Sequence, residues 1–220
     1  MKNFYLAVPL ALVMSGCVDN PPAIQIFNAY IPDDSCVVNQ AGAASGGGSL
    51  DLATANRYLA GLSLRNGIAL TEVEVNDSPV TGEGDATAVY VTHIELTYET
   101  QGGGPTLESE VYSTHFAIPS NATSNSTLVI DLLGGNARET LLTQVGPGSS
   151  VSFNVRIRLV GETVTGAKAE SNEIAYPVTV YHSGFSCPPG TRLEFNGPCG
   201  GPGGQDGFPP TCEEVEPVVP

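Results

Sequence analysis

The chain has 220 residues, 41% hydrophobic and 14% charged, and its 23 acidic side chains against eight basic ones give a formal net charge of −15. That balance excludes a protein that tracks phosphate backbones or bare anionic lipid, because Arg57, Arg65, Arg138, Arg156, Arg158, Lys168 and Arg192 are scattered and build no basic cluster. The apolar content suffices for one sizeable core and argues against disorder.

The first segment carries Lys2, an apolar run from Phe4 to Met14 and no acidic residue, and it closes on Met14-Ser15-Gly16-Cys17. Small side chains before a cysteine are what a lipoprotein signal peptidase needs, and a run this short does not span a membrane by itself. The expectation is a signal peptide over 1–16, cleavage that makes Cys17 the first residue, and lipidation of its sulfur, with palmitate among the acyl chains. The plainer alternatives are a buried N-terminal strand or a secretory leader cut near Gly16. A triacylated end holds firmly in a bilayer where one acyl chain binds only marginally. Residues 17–22, ending in Asn20-Pro21-Pro22, read as a lipidated tether.

Five cysteines are an odd number for an exported chain. Lipidation of Cys17 leaves Cys36, Cys187, Cys199 and Cys212, an even set that predicts two disulfides in an oxidising compartment. Three of these lie in the tail, so full oxidation requires one of them to join Cys36. Their spacing does not supply the close pairs of a zinc ribbon.

From Ala23 to Ser183 the pattern is β. Ile24, Ile26, Phe27 and Tyr30 open it; Tyr58, Ala60, Leu62 and Leu64 follow with period two. In Thr87 to Glu99 the parity changes, with Val89 and Val91 in one register and Ile94, Leu96 and Tyr98 in the other, so a bulge near Thr92 and His93 is expected. Tyr112, Phe116 and Ile118 share one face of the next strand, and Leu128, Ile130 and Leu132 of another. One helix follows, with Asn136 as its cap, Glu139 reaching back as in a capping box, and Leu141 and Leu142 to bury. Val151, Phe153, Val155, Ile157 and Leu159 alternate with polar residues, as do Ile174, Tyr176, Val178 and Val180. Pro177 places that last strand at an edge or on a bulge. The predicted fold is an all-β, two-layer antiparallel immunoglobulin-like sandwich over 23–183 with one short helix. Gly42 to Ser49, Gly102 to Pro105 and Ser120 to Ser126 read as loops. Residues 184–220 form a Gly/Pro-rich, disulfide-bearing tail too rich in Gly and Pro for regular structure.

The stretch Glu170-Ser171-Asn172-Glu173-Ile174-Ala175-Tyr176-Pro177-Val178 resembles the last strand of uncharacterised single-domain bacterial outer-membrane lipoproteins, which have a similar leader, a sandwich and a cysteine-bearing C-terminal segment. The resemblance implies architecture and a lipid-anchored place in the cell envelope, with no activity attached. It also implies that Asp directly after the lipidated cysteine favours inner-membrane retention. Val18 stands there, which points to the outer membrane.

The candidate chemistry is thin. His93 and His115 on neighbouring strands, with Glu95 or Glu110, make the one arrangement suggesting a metal-dependent envelope enzyme, and His182 ends the last strand; no short His spacing fixes two ligands on one element, and surface histidines are the plainer reading. The elbow Gly-x-Ser-x-Gly of a serine hydrolase is not matched by Gly146-Pro147-Gly148-Ser149 or by Gly46 to Ser49. Asp33-Asp34, Asp77 with Glu83 and Asp85, and Asp206 offer calcium oxygens without the spacing of a calcium loop. The sequons at Asn121 and Asn125 matter only in a eukaryotic secretory route. The expectation is a non-enzymatic module without cofactor that binds an envelope protein or glycan through its loops, with strand exchange at a sheet edge as a further possibility.

Overall fold

A computed structural model describes residues 21–68, 74–75, 78–79, 87–120 and 125–215. Cys17 and the 1–16 segment lie outside the described residues, as do Asp77, Glu83, Asp85 and Asn121.

In chain order the strands are β1 (Ile24–Tyr30), β2 (Gly48–Asp51), β3 (Leu59–Asn66), β4 (Glu74–Val75), β5 (Ser78–Pro79), β6 (Val89–Thr100), β7 (Glu110–Ile118) and β8 (Ser126–Asp131). The helix α1 (Gly135–Gln144) then leads to β9 (Ser150–Thr163), β10 (Lys168–Glu170), β11 (Ile174–Tyr181), β12 (Thr191–Leu193) and β13 (Cys212–Glu214). One sheet has the order β1-β3-β8; a larger one runs β2-β11-β9-β6-β7, with β10 on β9, and curls as a half-barrel. Between them lies one core. Leu62, Leu64, Leu96, Phe153, Val155, Ile157 and Leu159 are completely buried, and Tyr98 meets Phe153 edge to face at 6.0 Å.

The parity change in β6 is a bulge. Its register against both neighbours shifts between Val91 and His93, so Val89, Val91, Ile94, Leu96 and Tyr98 all reach the core. Gly161 sits opposite, because a Cβ there would lie 2.1 Å from the carbonyl oxygen of Tyr90. Bulges sharpen local twist, consistent with the curl of this sheet. Pro177 lies in the half of β11 that still has a free edge: the β2 ladder begins one residue later, at Val178.

Three expectations need correction. The fold is not wholly antiparallel, since β2 runs parallel to β11, from Gly48 against Val178 to Asp51 against Tyr181. Its first two residues, Gly48 and Ser49, fell in the segment expected to be loop, where glycine and serine hide any alternation. The tail is not irregular throughout: β12 pairs with β13, Pro198–Gly200 form a single 3-10 turn, and Gly203, Gly204 and Gln205 are buried. Nor does Asn136 cap the helix. Gly134 is the N-cap residue and makes no side-chain cap bond, while Glu110 of β7 accepts the backbone N–H of Asn136 (3.2 Å) and of Ala137 (3.0 Å). A carboxylate at this end favours the helix through its dipole as well. Ala137 and Leu141 face the core, whereas Leu142 is exposed.

The strand β1 would be an open edge, but the amide of Asn172 closes it. Asn172 accepts the N–H of Ile26 at 2.8 Å and donates to its carbonyl at 3.0 Å, and Ile24 bridges to Ser171. A side chain stands here where a neighbouring strand would bond.

Candidate functional site at the stapled end

The sandwich has two chemically different ends. Ile24 pairs with Asn66, whose side chain reaches Thr87 and Ile118, at the end where the chain enters. At the other end of β3, seven residues or about 23 Å away, the backbone N–H and C=O of Leu59 both bond to the Gln205 side chain, at 2.8 and 2.7 Å. The stapled end also gathers α1, the 31–47 segment and the tail.

A part-buried polar network fastens the tail there. Asp206 accepts the Ser49 N–H (2.6 Å), the Ser49 hydroxyl (2.5 Å) and the Tyr58 hydroxyl (3.0 Å). Tyr58 and Tyr176 hydroxyls lie 2.9 Å apart, and Ser45 Oγ reaches Tyr176 at 2.6 Å. Burial drives the Tyr58 phenol well above its ordinary value, and the neighbouring Tyr176 and Asp206 add to it, so it stays protonated and donates. Gly48 makes the approach possible: a Cβ there would lie 1.7 Å from Tyr58 Oη and 2.1 Å from Asp206. Beside it, buried Asp51 accepts from Ser183 N–H and Ala53 N–H, both at 3.0 Å, and its own N–H bonds Gly204. The network joins β2 and β3 to the tail, and no histidine is among these partners of Ser49, Tyr58 and Asp206. It holds the tail in place.

The second cluster centres on Asp131 at the end of β8. Its Oδ2 accepts Arg57 Nε at 3.0 Å and an Arg138 terminal nitrogen at 2.6 Å, while Oδ1 accepts Tyr58 N–H and Leu133 N–H. Tyr98 donates to the Leu132 carbonyl and accepts Gly134 N–H, joining the core to the first turn of α1. Between Arg57 and the tail runs a groove of about 240 Å³, whose lining includes Asn56, Arg57, Leu59, Pro198, Cys199 and Pro202. It falls below the usual size of pockets that enclose a cofactor.

The four candidate cysteines pair as Cys36–Cys199 and Cys187–Cys212. The first spans 163 residues and clamps the 31–40 segment and the tail together over β3; accordingly Val38 abuts Gly61, and β3 is buried on both faces. Cys36 and Cys199 are also the non-glycine residues with positive φ, at 64° and 54°, among the described residues.

His93 and His115 are placed apart from this end, whereas His182 stands at it, between Tyr181, which pairs with Asp51, and Ser183, whose N–H Asp51 accepts. His93 and His115 are both exposed on the outer face of the larger sheet, His93 opposite Ser113 and bonded to Thr92 at 2.9 Å. Glu95 is taken by Arg158 and Glu110 by the helix N-terminus. Among the described residues no three His, Cys, Asp or Glu side chains gather as metal ligands. Asp33 is an Asx turn, accepting the N–H of Ser35 and of Val37, and Asp206 is spent on the network above. Sequence reasoning missed Gln205, Tyr58–Asp206 and the Arg57–Asp131–Arg138 pairings. The polar residues are isolated in sequence, and only the period-two face of Tyr58 carried a signal.

No family model matches the chain, and no curated protein or solved structure matches it. The functional reading therefore rests on the chemistry of the stapled end.

Proposed function

We propose that this protein is a non-enzymatic, lipid-anchored module of the bacterial cell envelope, attached to the outer membrane through Cys17, whose immunoglobulin-like sandwich holds a stapled loop-and-tail surface out toward a partner. The carrying observation is the separation of the two ends: the chain enters β1 at one end of the sandwich, and both disulfides, the helix and the polar network stand at the other. A tether of residues 17–22 reaches at most about 20 Å, so an anchor at Cys17 turns the stapled end outward. That end carries exposed Val37, Leu142 and Phe195, apolar side chains of the kind that docking surfaces use.

Two measurements test this. Acyl labelling is expected on the wild-type chain and absent from Cys17→Ala, which should also leave the membrane fraction; equal labelling would refute the anchor. Photocrosslinkers at Leu142 and Phe195 are expected to capture an envelope partner that a crosslinker at Val164, by the entry end, does not. Capture from Val164 alone would overturn the orientation.

A further inference from the structure

We infer that the groove beside Arg57 binds the carboxylate terminus of a peptide. This deepens the interaction-module reading, since it names a ligand at the stapled end, but it needs no membrane anchor.

Charge is the first argument. In a chain of net charge −15, Arg156, Arg158, Lys168 and Arg192 are each paired with one or two glutamates, and Arg65 lies over the Phe27 ring and bonds Asn125. Arg57 differs. It shares the single carboxylate of Asp131 with Arg138 through Nε alone, its side chain is 60% exposed, and its two terminal nitrogens have no partner among the described residues. The bond at Nε fixes the guanidinium while leaving a two-pronged donor, the geometry that takes a carboxylate bidentately.

The lining supplies the rest. Leu59, Pro198 and Pro202 give an apolar strip beside the fork, and the exposed Asn56 side chain makes no hydrogen bond among the described residues. Among the described residues no backbone N–H outside the helices and strands bonds the carbonyls of Cys199 and Gly200, which suit a peptide N–H. A groove of about 240 Å³ fits one aliphatic side chain with its carboxylate and little more. Among the described residues no aromatic ring lines it, and so none offers the flat surface on which a sugar ring stacks. The floor is rigid: Gln205 clamps Leu59, and the Cys36–Cys199 bridge clamps the 3-10 turn. Charge-assisted capture of a chain terminus by a preformed backbone cradle is a known recognition mode.

Nuclear magnetic resonance on the full-length chain tests this with three probes: acetyl-Ala-Leu as the free acid, the same dipeptide as its C-terminal amide, and glucuronate. The free acid is expected to shift the amides of residues 55–59 and 198–202, with the amide probe roughly tenfold weaker or worse. Arg57→Gln should reduce binding of the acid to the level of the amide, and Arg57→Lys should restore part of it; the spectrum away from the groove reports that both variants are folded. Equal binding of acid and amide, indifference to Arg57→Gln, a stronger response to glucuronate than to the peptide acid, or no shift with any probe would each overturn the inference. None of these readouts depends on Cys17, so failure of the anchor and failure of the groove are separate results.

Discussion

The middle of the sandwich and its stapled end solve the same problem with different materials. In the middle, β6 and β9 bury Leu96, Phe153, Val155 and Ile157 completely, and stability there comes from apolar surface removed from water. At the stapled end the chain from 184 onward is rich in Gly and Pro and has little to bury, so two disulfides and a hydrogen-bonded network of Tyr58, Asp206, Gln205 and Asp51 take over. Apolar packing tolerates small rearrangement, whereas a buried polar network destabilises when one member is left unpaired. The contrast also bears on function. Groups at the stapled end are fixed by bonds of defined direction, a suitable base for a recognition surface.

The sharpest break of the comparison is Phe153→Ala in the middle, expected to cost about 3–5 kcal/mol and to unfold both regions together in a denaturant titration. Replacing Cys36 and Cys199 with serine should cost about 2–4 kcal/mol, more than removing the Cys187–Cys212 bridge, because the first closes the longer loop. Proteolysis of that variant should cut the tail before the sandwich; simultaneous cleavage would mean that the two regions are one cooperative unit. Tyr58→Phe should cost about 1–3 kcal/mol, since Asp206 loses a donor. Tyr58, with Tyr98 and Tyr112 beside the Asp131 cluster, sets an alkaline limit. Burial raises the phenols of Tyr58, Tyr98 and Tyr112 above the 10.0 at which they titrate when unfolded, so the folded form holds these protons more tightly. Stability is therefore full below pH 10 and falls as pH rises beyond it; thermal melts across that range check the sign, and a flat profile would count against buried phenols. The smallest effect is Glu110→Gln, about 0.3–1 kcal/mol, read as faster amide exchange in the first turn of α1.

Much of the middle was legible because it obeys period two. Val151 to Leu159 and Ile174 to Val180 show their buried faces directly, and the change of parity at Thr92 marked the bulge. The stapled end was legible through the existence of its helix and through its cysteines, whose count required one tail residue to join Cys36 without saying which. Gln205 is the instructive miss. A glutamine amide that replaces a neighbouring strand for Leu59 leaves no pattern, because its partner lies 146 residues away. Glu110 is similar, for it caps a helix from another strand and so evades a reading that seeks caps next to the helix they serve. Arg57 could be seen in the sequence only as one scattered cation among several; its meaning depends on Asp131 and on a tail that arrives later.

The late arrival of Gln205 has a consequence for biosynthesis. A chain emerging from its N-terminus completes β1 to β11 before the residues that satisfy Leu59 and cover the rim of β2 have appeared. Until residue 206 is out, that rim offers bare N–H and C=O groups in a nearly finished body, a state prone to pairing with another chain. Synthesis from the N-terminus thus leaves the segment around Gln205 and Asp206 as the latch. A chain stopped before Gln205 should be cut faster by added protease than the full chain, even though every strand of its two large sheets has already been made.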